Sequence, residues 1–199
     1  MQSQSSNLKK YNTQNPVKKF LIDNFKKKLL EILEDCEPFE YIADLGCGEG
    51  FIIDTLLTKY PNVKVDGFDI SQSAIDIAKK KHPNFNFYQS DVKNLPQPAK
   101  TNKYDLVVLT EVLEHIDDYK RVLENIQDMN FKTLIISVPD EPLFSISNLI
   151  FGKNIKRLGK DPEHVNFWTN KSLNQLLRQY FRVKRIIKPY PWLVAQCHK

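Results

Sequence analysis

Apolar residues in this 199-residue chain switch between a helical and a strand period several times. Val17, Leu21, Phe25, Leu29 and Ile32 or Leu33 form one helical stripe over about 16–34; Pro16 can open that helix, and its other face is rich in lysine. Short strand-forming runs follow at about 40–45, 63–69 and 85–89. Helical patterns at 49–59 and 72–81 separate them, the second preceded by Ser71 as a cap. A loop broken by Pro96 and Pro98 leads to Tyr104–Thr110, a continuous apolar run of the kind required of a strand covered on both faces. A helix near 118–128, a fifth strand at 133–138, a helix at 170–180 and strands at about 181–188 and 191–197 complete the pattern. Residues 1–14 are polar and show no period. Strands alternating with helices predict an α/β fold with a doubly wound parallel sheet.

The turn after the first strand is the most specific feature. Gly46, Gly48 and Gly50 stand at alternate positions directly before a helical pattern, where glycine admits positive φ and lets the backbone approach a ligand. The helix start aims free N–H groups and a positive dipole end into the same space, a device for holding a nucleotide-like cofactor. A dinucleotide fingerprint would need its third glycine where Phe51 stands. Asp44 lies two residues before the first glycine, Asp69 closes the second strand, and Asp91 follows the third. An acidic side chain at the end of strand two can accept hydrogen bonds from both hydroxyls of a ribose.

Over about residues 38–138 this series resembles the class I S-adenosyl-L-methionine-dependent methyltransferases. The resemblance implies a seven-stranded, mostly parallel Rossmann-like sheet whose last hairpin supplies a reversed edge strand. It also implies S-adenosyl-L-methionine as cofactor and S-adenosyl-L-homocysteine as product. Asp44, Gly46, Cys47, Gly48 and Gly50 would then shape the methionine and ribose pocket. Asp69 and Ile70 would hold the ribose, Asp91 and Val92 the adenine, with Thr110 and Glu111 near the methionine end. The chain divides accordingly into a tail and helix (1–35), a cofactor core (36–138), a lid insertion (139–169) and a final helix and hairpin (170–199).

Composition narrows the setting. No apolar run is long enough to span a membrane, and the N-terminus lacks the apolar stretch of a signal peptide. Cys36, Cys47 and Cys197 are an odd, scattered set without metal or disulfide spacing, so a cytoplasmic protein is expected, as monomer or homodimer. Residues 36–138 carry a net charge of −5, while residues 1–35 carry +3 and residues 139–199 carry +7. Basic flanks around an acidic core suit an anionic acceptor (a phosphate, a carboxylate, RNA or a lipid head group), or simply a solvated lysine surface.

Open α/β sheets bind ligands at the carboxyl ends of their strands. Strand four runs into Thr110-Glu111-Val112-Leu113-Glu114-His115-Ile116, without the Asn-Pro-Pro-Tyr of the family's DNA-adenine and glutamine N-methyltransferases. Glu-Val-Leu-Glu-His is similar instead to the run in many small-molecule O- and C-methyltransferases. In-line placement supplies most of the rate of methyl transfer, and a hydroxyl acceptor also needs a base. His115 and His164 are the candidates, whereas His82 and His198 read as surface residues. The connection from Pro139 to Trp168 is long for this fold and reads as a functional lid. Phe144, Ile146, Leu149, Ile150 and Phe151 would form a short apolar helix over the cofactor, and Lys153, Lys156, Arg157 and Lys160 a basic edge. The leading expectation is methylation of a small, anionic acceptor at oxygen. Glu111, Glu114, His115 and His164 also resemble the divalent-metal site of small-RNA 3′-terminal ribose 2′-O-methyltransferases, which makes RNA an alternative partner. A third possibility is a non-catalytic protein that only binds S-adenosylmethionine.

Overall fold

The computed structural model describes residues 13–36 and 38–199. Helix α1 (Pro16–Glu34) opens as expected, with the Asn15 side chain accepting from the backbone N–H groups of Val17 and Lys18. Its buried stripe is Ile22, Phe25, Leu29, Ile32 and Leu33. Val17 is half exposed, so the contact face begins one turn later than the sequence suggests.

Seven strands among the described residues form one sheet: β1 (Tyr41–Leu45), β2 (Lys64–Asp69), β3 (Asn86–Gln89), β4 (Lys103–Thr110), β5 (Asn130–Pro139), β6 (Arg182–Ile187) and β7 (Trp192–His198). Their order is β3-β2-β1-β4-β5-β7-β6. The first five are parallel, and β7 lies antiparallel to both β5 and β6. The reversed strand therefore sits inside the sheet, and β6 forms the edge.

Alternate residues of the central strands feed two cores. Val107 and Leu109 of β4 pack with α5 (Tyr119–Asp128) and α7 (Asn170–Leu177); Leu106 and Val108 pack with α1, α2 (Phe51–Leu57) and α3 (Gln72–Lys81). Coverage on both faces explains the unbroken apolar run. Caps set the helix starts: Ser71 accepts from Ala74 N–H for α3, and Asp118 accepts from Arg121 N–H for α5. The loop predicted near 95–98 is interrupted by a short helix, α4 (Gln97–Thr101).

Polar residues tie the sheet together below its ligand-binding edge. Asp66 is fully buried in β2 and accepts from Tyr41 Oη at 2.7 Å, Tyr104 Oη at 2.8 Å, Asn86 Nδ2 at 2.9 Å and Asn102 Nδ2 at 3.0 Å. Four donors compensate a carboxylate that would otherwise cost several kcal/mol to bury, of order ~3 kcal/mol or more.

Helix α6 (Leu143–Ile150) occupies the β5–α7 connection, as expected, but its orientation differs. Ser145 and Ser147 are buried, while Leu143, Ile146, Leu149 and Ile150 are exposed at 39%, 45%, 38% and 73%. The serines turn inward because partners wait there: Ser145 Oγ donates to Glu141 Oε2 at 2.7 Å, and Ser147 Oγ meets Tyr190 Oη at 2.6 Å. Gly159 closes the connection beneath this helix, at φ +80° and with Ser145 O where a β-carbon would stand.

Candidate active site

The glycine turn leaves β1 with Gly46, Gly48 and Gly50 at φ values of 78°, 51° and 81°. All three lie in the left-handed region that favours glycine. The N–H groups of Gly46 and Cys47 both donate to Phe68 O, and Gly48 N–H donates to Asp69 Oδ2 at 2.8 Å. Asp69 Oδ1 accepts from Ser71 N–H at 2.8 Å, so this carboxylate clamps the loop to the start of α3. Asp91 Oδ1 accepts from Lys93 N–H, Val92 is buried, and Ile70 is 67% exposed at the same edge. Cys47 is buried, and burial pushes its thiol well above the usual range, which removes it as a nucleophile.

Asp44 carries the strongest sign of a ligand site. Its side chain is fully buried, and among the described residues neither carboxylate oxygen has a hydrogen-bond partner. Burial, assisted by the charge of Asp69, raises its pKa to about 7. A buried acceptor without a partner beside a glycine turn fits a ligand that brings a donor or a positive charge.

His82 is a residue that sequence reasoning missed, having been placed on the surface. Its ring lies 3.1 Å from where a β-carbon on Gly50 would stand, its Nε2 is 3.1 Å from Asp54 Oδ1, and it stacks on Phe85. It braces the loop from behind. His198 is also half-buried, against Thr133 and the Lys132 carbonyl.

Beyond β4 the chain turns sharply. Glu111 has φ +58°, unusual for a residue with a side chain, and its Oε2 accepts from Trp192 Nε1 at 2.9 Å. Thr110 is buried at the strand end. A 3₁₀ turn, Leu113–His115, follows and is held by the β5–α7 connection. Asn166 Nδ2 donates to Leu113 O at 3.0 Å and to Ile116 O at 2.6 Å, and Glu114 O accepts from Val165 N–H at 2.8 Å. These bonds bring His115 and His164 together, with ring centroids 4.9 Å apart. Nδ1 of His115 lies 3.1 Å from Glu163 O; a carbonyl only accepts, so Nδ1 carries the proton and Nε2 is the basic nitrogen of the neutral ring. Ligand atoms of Glu114, His115 and His164 lie within 4.8 Å of one another. Glu111, the fourth member of the expected metal set, faces Trp192 instead.

A cavity of about 400 Å³ opens beside this turn. Its lining includes Glu111, His115, Phe144, His164 and Trp192 together with Lys18, Phe151 and Lys153. Neither Trp192 nor Lys18 was singled out from the sequence, because each comes from an element distant in the chain.

Residues 17–180 match the family model described as a methyltransferase domain. The chain belongs to this family, and with it to the class I methyltransferases. It is 33% identical over 132 residues to malonyl-acyl-carrier-protein O-methyltransferase 1 of Ilyobacter polytropus, a match covering 64% of this chain and 46% of that protein. The matches span 30% to 46% of the length of the curated relatives. Among solved structures, magnesium protoporphyrin IX methyltransferase from Synechocystis PCC 6803 superposes with a TM-score of 0.70 at 19% identity, covering 96% of this chain and 92% of that one. The methyltransferase domain of bacterial CtHen1 superposes with a TM-score of 0.67 at 20% identity, covering 89% and 98%. These likenesses establish the seven-stranded methyltransferase fold. No helix among the described residues is long and apolar enough to cross a membrane.

Proposed function

We propose that this methyltransferase domain moves a methyl group from S-adenosylmethionine to an oxygen of a small, anionic acceptor. The observation carrying this reading is the histidine pair, His115 and His164, in a cavity that also takes in Glu111 at the carboxyl end of β4. The O-methyltransferase named among the relatives agrees with transfer to oxygen.

When bound, S-adenosylmethionine supplies an electrophilic methyl on a sulfonium, which leaves as the neutral thioether of S-adenosylhomocysteine. Asp44 would accept from its amino group, the loop of Gly46, Cys47, Gly48 and Gly50 would face it, Asp69 and Ile70 would take the ribose, and Asp91 and Val92 the adenine. Thr110 and Glu111 would border its methionine end. The cavity would orient the acceptor oxygen and exclude water. As the oxygen–carbon bond forms, Nε2 of His115 takes the hydroxyl proton, while Nδ1–H stays on the Glu163 carbonyl and holds the ring in place.

The experiment follows label from [methyl-³H]S-adenosylmethionine into host-extract fractions. Metal-independent label in small molecules that falls at least tenfold in His115→Ala or His164→Ala supports the proposal. Full activity in both variants removes the histidine base, and no label in any fraction favours a protein that binds the cofactor without catalysis.

A second reading rests on the gathering of Glu114, His115 and His164 within 4.8 Å. One carboxylate and two imidazoles suit a divalent cation, which would activate an acceptor hydroxyl, including a terminal ribose of RNA. Mn²⁺ binding followed by electron paramagnetic resonance, and lost in Glu114→Gln, would support it. Activity in EDTA together with no Mn²⁺ binding would dismiss it.

A further inference from the structure

The acceptor cavity has two chemically distinct ends, and helix α6 measures the distance between them. At its start, the ring of Phe144 lies 5.3 Å from that of His164. Just past its end, the ring of Phe151 lies under Lys18 Nζ, 5.5 Å from the ammonium. Seven residues of helix separate these contacts, about 10 Å along the axis.

The second end is built by two segments far apart in sequence. Lys18 comes from the first turn of α1 and Lys153 from the loop after α6, and both line the cavity. The two side chains are close enough to interact: burial and the Lys153 charge hold the Lys18 ammonium below the usual lysine range. Neither lysine pairs with a carboxylate among the described residues. Of the cavity's acidic groups, Glu111 accepts from Trp192, and Asp161 and Glu163 belong to the imidazole end. There Asp161 O accepts from His164 N–H, Asp161 Oδ1 from Glu163 N–H and Glu163 O from the His115 ring. Bringing two ammonium groups together without an anion is unfavourable, and one negative group between them reverses the sign of the interaction.

We propose that Lys18 and Lys153 form an anion-binding subsite that holds a phosphate or carboxylate of the acceptor about 10 Å from the atom presented to the histidines. The subsite rests on the methyl-transfer reading and adds the acceptor's shape: an elongated molecule with an apolar middle along Leu21 and Ile22, and an anionic terminus. The Phe151 ring, 5.5 Å from the Lys18 ammonium, borders the same end of the cavity.

The test titrates the chain, saturated with S-adenosylhomocysteine, with phenyl phosphate, with monomeric dihexanoylphosphatidic acid and with phenol as neutral control. Tighter binding of either phosphate than of phenol is expected. Lys18→Gln and Lys153→Gln should each weaken it about tenfold, and Lys→Arg at either position should retain most of it. Preference for phenyl phosphate points to a free small-molecule acceptor, and preference for the phosphatidic acid to a lipid head group; both sustain the subsite. Equal binding of phenol and phenyl phosphate, unchanged affinity in both glutamine variants, or no saturable binding of either phosphate would overturn it. Binding of S-adenosylhomocysteine is measured on the same samples. Failure there would remove the methyl-transfer reading and the subsite with it, whereas normal cofactor binding without anion binding removes the subsite alone.

Discussion

Val112 fills the space that a side chain on Gly46 would need: a β-carbon built on Gly46 falls 2.3 Å from Val112 Cγ2. The first glycine of the turn after β1 and the residue after Glu111 are therefore packed against each other. The loops after β1 and β4 cannot be positioned independently.

Gly46→Ala should accordingly weaken S-adenosylhomocysteine binding at least tenfold. Two separate causes contribute, the clash with Val112 and a φ of +78° that alanine adopts poorly. Adding Val112→Ala should restore only part of the affinity, because it removes the clash and leaves the backbone strain. Full rescue in a calorimetric titration would show that strain is negligible here.

Asp44 predicts a pH dependence. Its pKa of about 7 in the fold lies above the ordinary carboxylate value, so the folded chain keeps a proton that the unfolded chain releases. Stability of the cofactor-free chain should fall as pH rises from about 4 to about 7, then level off. Asp44→Asn should flatten that slope and raise the Tm at pH 8 by about 3 °C or more, while lowering cofactor affinity. Thermal melts between pH 5 and 8 decide it, and an unaltered slope in the variant would assign the effect elsewhere.

Asp66 predicts a loss of stability separate from ligand binding. Asp66→Ala strands the hydroxyls of Tyr41 and Tyr104 and two amide groups in the core, and should cost about 3 kcal/mol in urea unfolding. Tyr104→Phe should cost about 1 kcal/mol, since it removes one donor and leaves three. The folded fraction of each variant should bind S-adenosylhomocysteine within about threefold of the wild type, given that no ligand-facing group is altered.

Asn166→Ala should separate turnover from cofactor binding. The amide holds the carbonyl oxygens of Leu113 and Ile116, and with them the turn that carries Glu114 and His115. Its loss should lower turnover tenfold or more and stability by about 1–2 kcal/mol, with S-adenosylhomocysteine affinity preserved. Unchanged turnover would mean that the backbone N–H groups of residues 165 and 166, both donating to Glu114 O, suffice to hold the turn.

Much of this protein is legible locally. The alternation of strand and helix periods, the glycines at positions that demand positive φ, Asp69 at the end of β2, and the Ser71 cap all act over a few residues. The parallel core and the cofactor turn could therefore be read directly. Cross-chain features could not. The inward turn of Ser145 and Ser147 depends on Glu141 and Tyr190, which overrode the apolar pattern of α6. His82 became a brace because α3 ends behind Gly50. The elements, the fold class and the glycine turn were readable along the chain, since periodicity and backbone conformation are near-neighbour properties. The family resemblance already grouped His115 with His164, but that Glu111 faces Trp192 and that Lys18 meets Lys153 emerge only in three dimensions, because each pairing joins residues whose separation along the chain leaves no periodic trace.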